Sequence, residues 1–524
     1  SEYEYYWAQR KGLLDPAKPE LNLATGDQTT SSSHTWWSVA GFFGRLNYSY
    51  KDRYMLELNG RYDGSSRFPS GNRFGFFPSM SAGYRISEEP FMQSLKPYLS
   101  TLKIRGSWGM IGNQDVGTDR YISTLSTSVG SWIIDGKKVQ STQKPTIVSS
   151  TLTWEKVTTL DLGLDARFFN DALGVTFDWY NRTTSDILTT ANLPATLGAD
   201  APYENMGTIQ TKGWELAIDY RHTFKNGLHF GVTASVADDK TEVTKWTYNT
   251  KIPSYGATGW WDKSAYKEGM VLGDIWGLQF DRFLTEDDFN ADGSLKAGLP
   301  DQTKVFPAGY QFAPGDVLYK DLDNNGEIVK QTNTNDKGDL SVIGNALPRL
   351  QFGLNLDAAW KGFDISMFFQ GVAKRKLWAA GNQVLPGFTT GEPFYKGAED
   401  YWTPENTDAF YPRPMDYKQS ASGNYSVNDR YLLNMAYLRL KTFTVGYSLP
   451  KVWLSKFKVQ GLRVYFTGEN LFTIDGVKPA IDPEIGIRTA SGKSDQRNFG
   501  RSYPYQKTVS FGIQPVSYTH LTLP

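Results

Sequence analysis

Apolar and polar residues alternate along Leu350-Gln351-Phe352-Gly353-Leu354-Asn355-Leu356-Asp357-Ala358-Ala359-Trp360. Leu350, Phe352, Leu354, Leu356, Ala358 and Trp360 share one face, and Gln351, Gly353, Asn355, Asp357 and Ala359 the other. A period of two held over that length requires an extended strand with one apolar side. The pattern recurs at 54–62, 160–168, 173–179, 214–224, 228–236 and 363–369, so the chain is all-β, built by repetition of one element.

The strands come in pairs joined by very short turns, at Lys51-Asp52, Asn170-Asp171, Lys225-Asn226-Gly227 and Lys361-Gly362. Successive pairs are separated by long polar segments such as 113–152, 184–210 and 373–430. Short turns at one end and long loops at the other are the plan of a transmembrane antiparallel β-barrel with long extracellular loops. A soluble β-sandwich alternates too, but three features oppose it. The strands run to about 10–14 residues, against ~5–6 in an ordinary sheet. Full charges stand mid-strand on the polar faces (Asp161, Asp165, Arg167; Glu215, Asp219, Arg221), as a wet lumen allows. Tyr and Trp recur near strand ends (Trp36, Trp37, Tyr48, Tyr50, Trp179, Tyr180), where aromatic girdles lie.

Up-and-down counting gives about thirteen crossings. Strands near 41–50, 75–86, 154–169, 212–224, 349–360, 436–449 and 507–514 run one way, and those near 53–63, 99–111, 172–182, 228–238, 363–371 and 460–469 the other. The apolar stretch 275–283 would break this parity as a crossing, which places it in the outer loop between 239 and 348.

Composition removes other classes. Basic and acidic residues balance at 55 each with no basic block, so nucleic acid is not an expected partner. No apolar run approaches the ~20 residues of a membrane helix, which leaves strands to do any spanning. The absence of cysteine fits an extracytoplasmic location.

The strand segments carry a resemblance. "FGRLNYSYKDRYMLELNGRYDGSSRF" (43–68), "FPSMSAGYRISEEPF" (77–91), "LKIRGSWGMIGNQ" (102–114), "FDWYNRTTSDIL" (177–188), "NMGTIQTKGWELAIDY" (205–220), "YLRLKTFTVGYSLP" (437–450) and "LRVYFTGENLF" (462–472), followed by "DPEIG" (482–486), resemble in order the C-terminal part of the barrel of a SusC/RagA-type TonB-dependent outer-membrane protein. The resemblance implies a barrel of about twenty-two strands around an N-terminal plug. It also implies import of oligosaccharides or peptides, with a SusD-like surface lipoprotein as lid and energy delivered through TonB, in the outer membrane of a Gram-negative, Bacteroidetes-type bacterium. Residues 1–514 are then expected to be barrel, with the plug and earlier strands upstream. The "PVSYTHLTLP" of 515–524 reads as a non-native tail, since Pro515 cannot donate to a ladder and no closing aromatic follows. The alternative function is a β-rich outer-membrane adhesion or surface-binding protein without transport.

Catalysis finds no motif: there is no Gly-x-Ser-x-Gly elbow, His-Glu-x-x-His helix, phosphate-binding loop or cysteine nucleophile, and the chain is not expected to be an enzyme. The four histidines, His34, His222, His229 and His520, are dispersed. Candidate substrate-binding residues are the loop aromatics Trp260, Trp261, Tyr401 and Trp402, whose rings can stack on sugars or pack against peptide side chains.

One loop invites a cation. In "DLDNNGEI" (321–328), Asp321, Asp323 and Asn325 fall at every second position before Gly326, as in a Ca2+ loop, and Glu327 can add its backbone carbonyl. Thr332 stands where a closing bidentate acid belongs, which leaves Asp336 or Asp339 to close a Ca2+ (or Mg2+) site. A weaker echo, Asp288-x-Asn290-x-Asp292-Gly293, has Leu299 at the closing position.

Overall fold

A computed structural model of the chain describes all residues except 1, 16, 19, 126, 143–144, 191–195, 197–200, 247–265, 334–335, 380, 389–393, 416–422, 455–458, 460, 479–480, 485–502 and 517–524. Thirteen long strands form one antiparallel wall in which each is bonded to its neighbours in sequence. They are β1 (Val39–Tyr50), β2 (Tyr54–Ser65), β3 (Phe74–Arg85), β4 (Leu99–Asn113), β5 (Glu155–Phe168) and β6 (Leu173–Ser185). After these come β7 (Thr208–Thr223), β8 (His229–Lys245), β9 (Arg349–Trp360), β10 (Phe363–Lys374), β11 (Tyr437–Ser448), β12 (Gly461–Glu469) and β13 (Thr508–Val516). Every expected crossing is present. The expected all-β barrel plan holds, and among the described residues β1 and β13 are each bonded on one side only.

The short turns set the register. Trp360 pairs with Phe363 across Lys361-Gly362, both at positive φ (48° and 89°), the geometry that lets a two-residue connection follow the strand twist. With the pleat so fixed, Leu160 and Leu162 face outward, 38% and 50% exposed, alongside Phe177 and Ile218. This continuous apolar surface suits lipid. The other face carries charge that is paired within the wall. Arg105 on β4 meets Asp165 on β5 at 3.1 Å and Asp178 on β6 at 2.6 Å, and Arg167 on β5 meets Asp219 on β7 at 2.7 Å.

Strand β13 reaches Val516, and Pro515 lies opposite Leu462 in the ladder. A strand bonded on one side absorbs a missing donor. The stretch 275–283 lies outside the wall as expected, split into strands Asp274–Gly277 and Phe280–Phe283 that pair with Ser341–Asn345 and Val317–Tyr319. An unanticipated hairpin, Glu2–Arg10 against Gln28–Trp36, precedes β1.

The main buried cores do not lie in the wall. One gathers Ile275, Leu377, Trp378, Leu385, Tyr411 and Tyr431, and another Leu278, Phe283, Phe306, Val317, Tyr319 and Leu340. They are built mainly from the loops after β8 and after β10, with Val477 from the segment after β12 joining the first, and the loops fold together as a layer beyond the long-loop end of the wall.

Candidate functional site

The two loops are stitched through backbone and side chains. Leu278 N–H donates to the Val427 carbonyl at 2.9 Å, and Phe280 N–H to Asp429 at 2.8 Å. Their hub is Asp316, fully buried, whose carboxylate accepts from Arg413 Nε (2.8 Å), Tyr310 Oη (2.9 Å), Asn424 Nδ2 (2.9 Å) and the Ala313 N–H (2.9 Å). Burial first, and then the Asp316 charge, raise the Tyr310 hydroxyl above its ordinary range.

The Asp-rich loop hangs from this layer. Asn324 and Gly326 take positive φ (57° and 85°), which turns the chain sharply enough for Asp321 to accept the Gly326 N–H at 2.7 Å. Asp323 accepts the Asn325 N–H at 3.1 Å, and the Asn325 side-chain oxygen accepts the Glu327 N–H at 2.7 Å. The fold then brings in Asp339, fully buried, which accepts the N–H groups of Leu322 (2.8 Å) and Val329 (2.7 Å). Ligand oxygens of Asp321, Asp323 and Asp339 all lie within 4.8 Å of one another.

Of the two acids offered as closing residue, Asp339 is therefore the one delivered to the loop, while the side chain of Asp336 lies outside the described residues. The Glu327 carboxylate turns away to pair with Lys304. Desolvation works against charge on Asp321, but the surrounding N–H groups, led by that of Gly326, hold its carboxyl below the ordinary value. Asp323 is pushed up by desolvation and by the nearby charges of Asp339 and Asp321. An all-oxygen, acid-rich donor set whose like charges repel fits a hard divalent cation.

The echo at 288–293 is built differently. Asp288 forks onto Arg282 (2.5 and 2.7 Å) and caps the turn Glu286–Asp288 through the Thr285 N–H (2.8 Å), while Asp292 folds back onto Ser294. These carboxylates are used up locally. One other mixed cluster, Glu2, Glu4 and His34, sits on the exposed hairpin. His222 and His229 make separate contacts, with Phe224 and Thr223 respectively.

The aromatic candidates separate. Trp260 and Trp261 lie outside the described residues. Trp402 is 6% exposed and packed into the second loop core, where its ring lies over Gly315. Tyr401, its neighbour, is 40% exposed and lines a cavity of about 410 Å3 with Phe394, Tyr395, Tyr411, Pro412 and Pro414. Adjacent side chains of an extended segment point opposite ways, so a single dipeptide supplies one anchor and one accessible ring. Tyr395, Tyr411 and the prolines drew no notice in the sequence, because only the fold brings 394–399 beside 411–414.

A wall of up-and-down strands with an apolar exterior, a charged interior and a structured outer loop layer defines an outer-membrane β-barrel protein. The chain belongs to the TonB dependent receptor-like, beta-barrel family, whose pattern matches residues 1–471. Similar proteins include the TonB-dependent receptor P3 of Formosa agariphila, 28% identical over 98% of this chain and 50% of that protein. Another is the TonB-dependent receptor SusC of Bacteroides thetaiotaomicron, 27% identical over 86% of this chain and 41% of that one. The fold matches a chain in the structure of the RagAB peptide transporter with a TM-score of 0.73, at 22% identity, over 98% of this chain and 52% of that chain. The SusC/RagA-type resemblance is thereby borne out, and the chain spans about half the length of the curated relatives it matches.

Proposed function

We propose that the chain forms wall and outer loops of a TonB-dependent importer in the outer membrane of a Bacteroidetes-type bacterium, taking up oligosaccharides or peptides. The observation that carries this reading is the coexistence of a thirteen-strand wall, charged within and apolar without, and a loop layer that is itself folded around hydrophobic cores. A passive pore needs the first feature alone; selective capture needs a rigid outer surface as well. Kinship with proteins named SusC and RagAB supports a SusD-like surface lipoprotein as partner and TonB as the energy source.

Within this reading, Asp321, Asp323, Asn325 and Asp339 hold Ca2+ (or Mg2+), which neutralises the acid cluster and pins the outer loop. Glu327 contributes at most its backbone carbonyl. Deleting the gene in its native host and scoring uptake of labelled oligosaccharides and peptides tests the importer. Loss of one substrate class, restored by the gene, is the expected result, and unchanged uptake of all of them overturns it.

A further inference from the structure

We propose that the cavity beside Tyr401 receives a bulky apolar side chain of an extended peptide; the inference rests on the importer reading and narrows its substrate class. At about 410 Å3 the cavity falls within the roughly 300–1,000 Å3 of small-ligand sites. Its walls are rings: Phe394, Tyr395, Tyr401 and Tyr411 with Pro412 and Pro414.

What the walls lack decides between substrates. A sugar brings a hydroxyl on nearly every carbon, and each one buried without a partner costs free energy. The hydroxyl of the buried Tyr411 already donates to the Val384 carbonyl at 3.0 Å, and the cavity surface is mostly carbon. An aromatic or aliphatic side chain requires no such partners and gains from ring-to-ring contact.

The rim supplies the rest. Lys396 and Glu399 stand together on one short turn that lines the cavity and, among the described residues, neither is engaged in an ion pair. A cation and an anion side by side at an apolar hole can pair with a carboxylate or an ammonium end of a short peptide whose side chain is inserted.

The test is calorimetric titration of the full-length protein with the pentapeptide Ala-Gly-Phe-Gly-Ala, the same peptide with alanine replacing phenylalanine, and maltohexaose. Tyr401→Ala and Phe394→Ala are the variants, since both rings are substantially exposed (40% and 55%) and their removal leaves the loop cores intact. The expected result is that each variant weakens the phenylalanine peptide about tenfold, as loss of one ring contact would. The alanine peptide should bind weakly and ignore both substitutions. Unchanged affinity of the phenylalanine peptide in both variants overturns the proposal, as does maltohexaose binding that both variants weaken. Uptake separates the two levels: import that depends on the gene but is indifferent to Tyr401→Ala removes only the cavity assignment, whereas gene-independent import removes the importer itself.

Discussion

Arg413 Nε lies 2.8 Å from the fully buried carboxylate of Asp316, ninety-seven residues earlier in the chain. The pair joins the loop after β8 to the loop after β10. Arg413→Ala strands a buried charge and is expected to cost the loop layer about 3–5 kcal/mol. Limited proteolysis should then cut both loops faster while the wall stays resistant. Cleavage at the wild-type rate would show that the pair does not hold the layer.

Acid should loosen the same layer from another point. Asp288 is held down to about 2, chiefly by its hydrogen bonds to Arg282, with help from the Thr285 N–H against the cost of burial. A carboxylate whose folded value lies below its unfolded one, 3.8, stabilises fully above about pH 4 and loses that contribution as pH falls toward about 2. Asp288→Asn should remove about 1–2 kcal/mol at neutral pH and flatten the acid limb of a loop-unfolding profile between those limits. An unaltered acid limb in the variant would assign the effect elsewhere.

Calcium titration of the intact protein should produce saturable heat that Asp339→Ala abolishes and Glu327→Gln leaves unchanged. Asp339 completes the carboxylate cluster, whereas the Glu327 side chain is bonded to Lys304. Absence of any heat with Ca2+ and Mg2+ in the wild type would remove the cation from the loop.

Gly362 should be the least replaceable turn residue. Its φ is +89°, and a Cβ there would sit 2.8 Å from the Ser448 carbonyl oxygen. Gly362→Ala is expected to destabilise the wall by about 1–2 kcal/mol. Lys361→Gly, at the adjoining positive-φ position, should be neutral within a few tenths of a kcal/mol. The temperature at which the folded band disappears on a semi-native gel measures both, and equal shifts would refute the turn argument.

The wall was legible because its signal is local: Leu160 and Leu162 against Asp161 declare a face within three residues. The hairpin at Glu2–Arg10 and Gln28–Trp36 was not, since the Thr29-Thr30-Ser31-Ser32-Ser33 run in its second strand has no apolar face to announce. The loop layer was legible only as a place where 275–283 had to go. Contacts such as Asp316 with Arg413, or Leu278 with Val427, join residues too far apart for any periodicity to couple. The cation loop stood between these cases. Its ascending half was written in Asp321, Asp323 and Asn325, but Asp339 was one of two options until the chain after Ile328 doubled back to place it.

Housing the main hydrophobic cores in the outer loops separates the thermodynamics of the two regions. Rings such as Tyr319 and Tyr431 leave water when the layer folds, so its unfolding should carry the large positive heat-capacity change of a globular domain. The outward leucines of the wall meet lipid when folded, and if they stay in lipid as pairing is lost they contribute little to that signature. Heating should therefore resolve two transitions of different curvature, and the stability of the outer layer alone should pass through a maximum and decline on cooling.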